Sequence, residues 1–403
     1  MSVHEQTDDS ARIFQARRCA GIVFHGDADA PAVRRIFGYL AEAGYEVKFF
    51  GGTHRSRIVP FDSVTQICRP PKSVVGRATR YFSRTMNLAA QTMPLSQVAR
   101  DRLNRWLGGF VVPSDFACEV LVVIDALVAP AILDRPRRHR PKLWWHLRDH
   151  PVKTSQRNVV TRILEEPIRR RTMARLGRVP DLVTTVSTGI ASDLNREFGM
   201  ASKVILNVPD GLQGSGHPRP SRQQEIRIVH HARFEFNRRP WVLVSALCRL
   251  PATYRSDLYF LSSTPILIIL RALTARRPHV QVHGPLDEVP GHRVLSEYDV
   301  GLVAFPTTVP NLRYALPNKL FQYLEAGLGL VGVETTAAGD LIRQHGLGEL
   351  AEAYDARSIC AAISRLDRQE LSRLQGNVQG TAQRLVSDER SRVGELLDQL
   401  MEK

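Results

Sequence analysis

Short apolar runs alternate with segments of helical spacing through almost all of the 403 residues. In the first part, strand-like runs fall at Gly21–Phe24, Val47–Phe50, Val120–Ile124, Leu143–Trp145, Leu182–Val186 and Val204–Leu206. Helical patterns cover Ala32–Ala43, Ala126–Leu133, roughly Ser155–Leu176 and Thr188–Phe198. The alternation stops at Pro209–Ser221, a run rich in Gly, Pro and Ser that reads as a linker. It then restarts, with strands at Ile226–His230, Leu258–Leu261, Val280–Val282, Gly301–Ala304 and Leu330–Val333. Helices are predicted at Pro240–Leu250, Ile266–Arg276, Asn318–Ala326 and Gly339–Gln344, and from Asp355 the chain reads as helical to its end. Residues 53–118 break the pattern, being irregular, basic and dotted with Pro. Apolar strands separated by helices predict parallel sheets. Two such series predict an α/β protein of two domains, 1–212 and 213–386, followed by a helix at 387–403. Ligands on such sheets sit beyond the carboxyl ends of the strands, which places the predicted site in a cleft between the domains.

The segment Arg313–Gly327 is the most informative local pattern. An apolar run, Val300–Phe305, precedes it and another, Leu328–Val333, follows it. Pro317 is pre-organised for a first helical turn and Asn318 is a good capping residue. Leu320, Phe321 and Leu324 then recur at helical spacing, and Gly327 stops the helix. A strand, a loop and a helix N-terminus in this order offer free backbone N–H groups and a positive dipole end, which suit a diphosphate. Leu316, Pro317, Asn318 and Lys319 form that phosphate-holding loop, Lys319 adding charge.

These residues resemble the nucleotide-sugar motif of GT-B glycosyltransferases of the group 1 or family 4 retaining type. The resemblance runs through Asp299-Val-Gly-Leu302, Leu316–Tyr323 and Ala326-Gly327-Leu328, and covers most of residues 120–400, strongly at 180–210 and 299–333. Gln322 stands where that family usually has Glu, and Gly329 where it usually has Pro. The resemblance implies two Rossmann-like domains facing across a cleft, with donor nucleotide on the second and acceptor on the first, and final helices, here Ser387–Lys403, crossing back onto the first. It implies a sugar moved from a nucleoside diphosphate to an acceptor hydroxyl with retention, front-face, the leaving phosphate oxygen assisting deprotonation. Donor contacts carried over are Arg233 and Arg238 for the diphosphate, Gln322 for ribose hydroxyls, and Gly26, which permits close approach after the first strand. Gln keeps one acceptor, gains two donors and loses the charge. Arg suits bidentate phosphate contacts. On the acceptor side, His25 ends the first strand, and Trp145-His-Leu-Arg-Asp-His150 follows the fourth, where His146 or Asp149 would orient the acceptor hydroxyl or take its proton. Asn207 is expected near the cleft, Ser187 is expected as an N-cap, and Glu325 is expected to face solvent.

Composition narrows the field. No Asp-x-Asp pair lies between apolar runs, so no metal is expected; placed cations and a helix terminus would neutralise the diphosphate, and no cofactor beyond the nucleotide-sugar co-substrate is implied. Five scattered Cys without a Cys-x-x-Cys argue against zinc or a disulfide framework and for a reducing cytoplasm. The polar start is not a signal peptide, and Val120–Leu133 and Leu258–Leu273 are too short or interrupted to span a bilayer. Net charge is +15 and uneven: residues 1–212 hold 32 Lys+Arg against 20 Asp+Glu, the remainder 23 against 20. That basic first domain suits an anionic lipid-linked or glycan acceptor and peripheral contact with the inner face of a membrane; it suits a small-molecule acceptor as well. Only seven of the 55 basic residues are Lys, so a general preference for Arg accounts for the charge equally. Nucleic acid is disfavoured, since aromatics make up 7% and show no stacking pattern. Two other readings stay open: a catalytically silent partner protein of the same fold, and a sugar-nucleotide epimerase.

Overall fold

The computed structural model describes residues 18–52, 56, 58–67, 99, 113, 116–133, 141–153, 159–208, 225–286 and 294–402. Within them the chain forms two sheets, all of whose strand pairings are parallel. The first holds β1 (Cys19–Val23), β2 (Glu46–Gly51), β3 (Ser63–Gln66), β4 (Val120–Ile124), β5 (Lys142–Leu147), β6 (Leu182–Thr185) and β7 (Lys203–Val204), in the order β3-β2-β1-β4-β5-β6-β7. The second holds β8 (Ile226–Arg233), β9 (Tyr254–Leu261), β10 (Val280–His283), β11 (Val300–Leu302), β12 (Gly329–Val333) and β13 (Gly348–Ala351), in the order β10-β9-β8-β11-β12-β13. The central β4, Val-Leu-Val-Val-Ile, is buried throughout, as a parallel strand covered on both faces must be.

The helices are α1 (Pro31–Glu42), α2 (Ala129–Leu133), α3 (Val159–Leu176), α4 (Thr188–Phe198), α5 (Pro240–Leu247), α6 (Thr264–Thr274), α7 (Pro310–Tyr314), α8 (Asn318–Glu325), α9 (Ala337–His345), α10 (Ala356–Ser364) and α11 (Arg368–Glu402). Their ends follow local chemistry. Ser187 Oγ accepts from the Ile190 N–H at the start of α4, and Gly199, at φ +63°, closes it in the left-handed region that Gly adopts readily. Asp355 caps α10 through the N–H groups of Arg357 and Ser358.

Two apolar layers cover each sheet. The last helix ties them together. Leu371 and Leu374 of α11 pack on one side of the second sheet, Val378, Ala382 and Leu385 on the other, and Val393, Leu396, Leu397 and Leu400 against α1 and the first sheet. The helix expected at 387–403 is thus the end of one 35-residue helix, with no break at 386.

Four differences from the sequence reading are local. The helical stretch from Asp355 is two helices, parted at Arg365–Asp367. β13 and α7 carry too few residues for a periodic signal, and β3 is a four-residue edge strand inside the irregular 53–118 segment. The rest of that segment lies almost entirely outside the described residues, as do the linker and the 212/213 boundary.

Candidate functional site

A cavity of about 250 Å³ opens between the two sheets. Its walls come from segments that follow strand carboxyl ends. The first sheet contributes Arg35 of α1, Arg148 and Asp149 after β5, Val186 and Ile190 after β6, and Asn207 after β7. The second contributes Arg238 after β8, Phe305 after β11, Asn311 and Leu312 of α7, and Ala315–Asn318 leading into α8. Hydrogen bonds fasten the two walls. Arg35 Nη2 donates to Asn207 Oδ1 at 2.5 Å, and Asn207 Nδ2 donates to the Leu316 carbonyl at 2.8 Å. The His150 N–H donates to Asn311 Oδ1 at 2.9 Å, and Asn311 Nδ2 donates to Asp149 Oδ1 at 2.9 Å.

The opening loop of α8 differs in detail from its sequence reading. Pro317, extended at φ −74°, is the N-cap, and Asn318 is the first helical residue, with no side-chain cap bond. The cap is a Pro because its missing N–H costs nothing at a helix start. Leu316, Pro317 and Asn318 all line the cavity. Lys319 does not: it is buried at 6%, its Nζ donates to the His231 carbonyl at 3.2 Å and lies 4.7 Å from the centre of the Phe305 ring. Burial, with the nearby Arg238 cation, pushes its ammonium well below the usual lysine range. The charge expected at the loop thus points away from the cavity, toward the His231 carbonyl. Gln322 Oε1 accepts from His231 Nε2 at 3.0 Å, so its acceptor is engaged. Glu325 is half-buried rather than solvent-facing.

Arg238 stands on the cavity wall, oriented by Glu235 Oε2 at 2.9 Å from its Nε. The turn that carries it, Phe236–Arg238, is pinned by the Tyr354 hydroxyl donating to the Arg238 carbonyl at 2.7 Å, and Arg239 adopts φ +46°, strained for a side chain of this size. Arg233 is exposed and lines a neighbouring crevice that also touches Arg238, not the main cavity. Gly26 and His25 lie in the loop after β1; the Gly26 carbonyl accepts from the Gly52 N–H at 2.9 Å, and neither residue lines the cavity.

His146 corrects the sequence reading. It was placed at the cleft edge, but the alternation of β5 turns its ring inward with Trp144, where it is 3% exposed and its Nδ1 lies 2.9 Å from Thr184 Oγ1. Burial and the Arg35 cation hold its pKa down to about 3, so it is neutral and off the cavity wall. Asp149 does reach the wall. Asp149 keeps an exposed face, yet partial desolvation at the cleft wall and the Asp125 carboxylate push its carboxyl above the usual range, against the pull of Asn311, Arg148 and Arg238. Asp125 itself, at φ +67°, pairs with Arg148; burial opposes its charge, but the guanidinium outweighs burial and holds it low.

Arg35 and Asn311 were not anticipated. Arg35 carried a signal: it falls among Val33, Ile36 and Leu40, a charge on the core side of an amphipathic helix, and is 6% exposed. Asn311 sits on a five-residue helix and carried none. Elsewhere, ligand atoms of His150, Asp193 and Glu197 lie within 4.8 Å of one another. Lys153 Nζ already stands 2.5 Å from both carboxylates, and His150 Nδ1 accepts from the Val152 and Lys153 N–H groups, leaving the proton on Nε2, so the group reads as an ion-paired cluster and not a metal centre. No helix among the described residues is long and apolar enough to cross a membrane.

Neither a scan against family models nor a search of curated proteins returns a match. Solved structures do match over nearly the whole chain. The sucrose-phosphate synthase of Thermosynechococcus elongatus aligns with a TM-score of 0.69 at 16% identity, covering 96% of this chain and 100% of that one. HepE of Anabaena in complex with UDP and glucose aligns at 0.62 and 14%, covering 95% and 100%. The E. coli trehalose-6-phosphate protein bound with UDP-2-fluoro glucose aligns at 0.63 and 11%, covering 95% and 99%. Two parallel α/β sheets walling one cleft, together with these alignments, give this chain the GT-B fold.

Proposed function

We propose that the protein is a glycosyltransferase that moves a sugar from a nucleoside diphosphate to an acceptor hydroxyl, with retention and without a metal. The observation that carries this reading is the convergence of Arg238, Arg35, Arg148 and the α8 N-terminus on one cleft. Cations and an oriented helix end are what a departing diphosphate needs, since its charge develops as the sugar–oxygen bond breaks. The fold neighbours support the donor class, two of these proteins being described with UDP, UDP-glucose or UDP-2-fluoro glucose. In this reading Arg238 holds the diphosphate from one side and the Leu316–Asn318 backbone from the other, with Arg233 at the outer edge. Asp149 orients the acceptor hydroxyl from the first sheet. The bond between the anomeric carbon and the phosphate oxygen breaks, the acceptor oxygen bonds that carbon on the same face, and the acceptor proton passes to the leaving phosphate.

The acceptor fits an anionic lipid-linked molecule, a glycan or a small molecule, reached from the cytoplasm. Thermal shift with UDP, GDP, ADP and dTDP tests the donor site. At least one is expected to raise the melting temperature, and Arg238→Ala to abolish that rise; no response to any of them defeats the reading.

Two observations favour a catalytically silent relative instead: Gln322 is tied to His231, and Lys319 is buried with its Nζ on the His231 carbonyl. Slow donor hydrolysis separates the two, because a silent partner would bind nucleotide and release no sugar. An epimerase needs several cleft acids and bases, whereas Asp149 is the one carboxylate among the described lining residues.

A further inference from the structure

Helix α6 is apolar on two sides. Its inner stripe, Leu267, Leu270 and Thr274, is buried against the second sheet. Its outer side repeats the pattern. Pro265, Ile268, Ile269, Ala272 and Leu273 fall at the i, i+3, i+4, i+7, i+8 spacing of a single helical face, and all are exposed. Ile268, Ile269 and Leu273 are 59%, 60% and 58% exposed. A solvated helix of a globular protein carries polar residues on its outer face; an apolar outer face implies something that covers it.

The surroundings say what covers it. Helix α6 packs on β10, the edge strand of its sheet, and its neighbour α5 presents Trp241, 41% exposed, beside Phe236, 70% exposed. Residues 236–286 hold seven Arg and a single acid, Asp257. That acid is buried and paired with His283 at 2.6 Å, so residues 236–286 add no exposed carboxylate beside the helix, while Arg238 and Arg255 are paired with Glu235 and Glu225. Arg276 and Arg277 follow the apolar stripe directly and are exposed. A second copy of the chain is a poorer occupant, because it brings the same cationic surround and no complementary acid from this stretch. An apolar face flanked by Arg and Trp matches the interfacial region of an anionic bilayer, which takes apolar side chains into its acyl boundary and attracts cations to its headgroups.

We infer that the outer face of α6, with Trp241 and the flanking Arg276 and Arg277, is a docking surface for an anionic membrane. This differs from contact through the basic first domain and does not depend on the transferase reading. Helices α5 and α6 both begin at the carboxyl ends of β8 and β9, the same end of the sheet that walls the cleft. Docking here would set the cleft mouth near the bilayer surface.

Flotation of the intact chain with vesicles of equal parts phosphatidylglycerol and phosphatidylcholine tests it. The chain is expected to float with these and not with phosphatidylcholine alone. Ile268→Asp/Ile269→Asp should lower partitioning about tenfold or more, since each side chain then loses its buried apolar area. Both positions are exposed, so the variant's melting temperature should match the parent's and keeps the result interpretable. Arg276→Gln/Arg277→Gln should weaken binding and flatten its salt dependence. Failure of the intact chain to float, unchanged flotation of the Ile variant, or conversion of a dimer to a monomer by that variant in light scattering would each overturn the inference.

Discussion

At the scale of single residues, Lys319 is the most consequential finding. Its sequence position promised a cation at a phosphate loop, yet its Nζ turns to the His231 carbonyl, and burial and Arg238 press its pKa down. A lysine held below its ordinary value of about 10.5 binds fewer protons folded than unfolded, so stability rises with pH between the two values. Lys319→Met should therefore stabilise the free protein by about 1–3 kcal/mol in urea melts near neutral pH, because Met carries no ammonium to desolvate. Asp149 gives a separate expectation. Asp149→Asn should leave nucleotide affinity within about threefold and cut transfer on the order of 100-fold or more. Equal losses in both would show that Asp149 is a binding group and not one that acts on the acceptor. Arg238, Asn318 and Asp149 were legible because each stands in a motif beside a strand end. Asn311 was not, because its partners, the His150 N–H and the Asp149 carboxylate, come from the opposing wall far away in sequence, and Arg35 showed only as a charge on the core side of α1.

At the scale of elements, the short helix α8 is positioned by the strands beneath it. Gly301 of β11 lets the Tyr323 ring lie flat on the strand; a Cβ there would stand 2.3 Å from the ring. Gly301→Ala should cost about 1–3 kcal/mol by overpacking and weaken nucleotide binding too, because the displaced helix carries the phosphate loop. A thermal melt with and without nucleotide separates the two effects. Gly329 also has a structural reason. Its N–H donates to the Asp299 carbonyl at 3.0 Å, a bond that the Pro usual at this position could not make. Strands such as β4 and helices such as α4 were readable to the residue, since a continuous apolar run or a Ser cap with a terminal Gly is a complete local signal. The strand β13 and helix α7 were not, because four or five residues do not fill a period.

At the scale of the molecule, α11 is the piece that makes two sheets one body. Its final turns put Val393, Leu396, Leu397 and Leu400 into the core of the first sheet, and its Glu389 accepts from the Leu206 N–H at 2.9 Å. Deleting residues 387–403 opens that core. The truncated chain is expected to lose its cooperative melt in circular dichroism and to aggregate, whereas an equally soluble and stable product would show that the helix end is dispensable. The sequence by itself determined the α/β class, the parallel sheets, most strands and helices, and the strand–loop–helix unit at Leu316–Lys319, because periodicity and capping act over a few residues. Only the tertiary structure decided what those units do together. It buried His146 and Lys319, left Arg233 outside the main cavity, and brought Arg35, Asp149 and Asn311 to one cavity, in two separate hydrogen-bonded links between its walls. Burial, and with it charge state, depends on the distance between residues remote in sequence, and no local pattern encodes that distance.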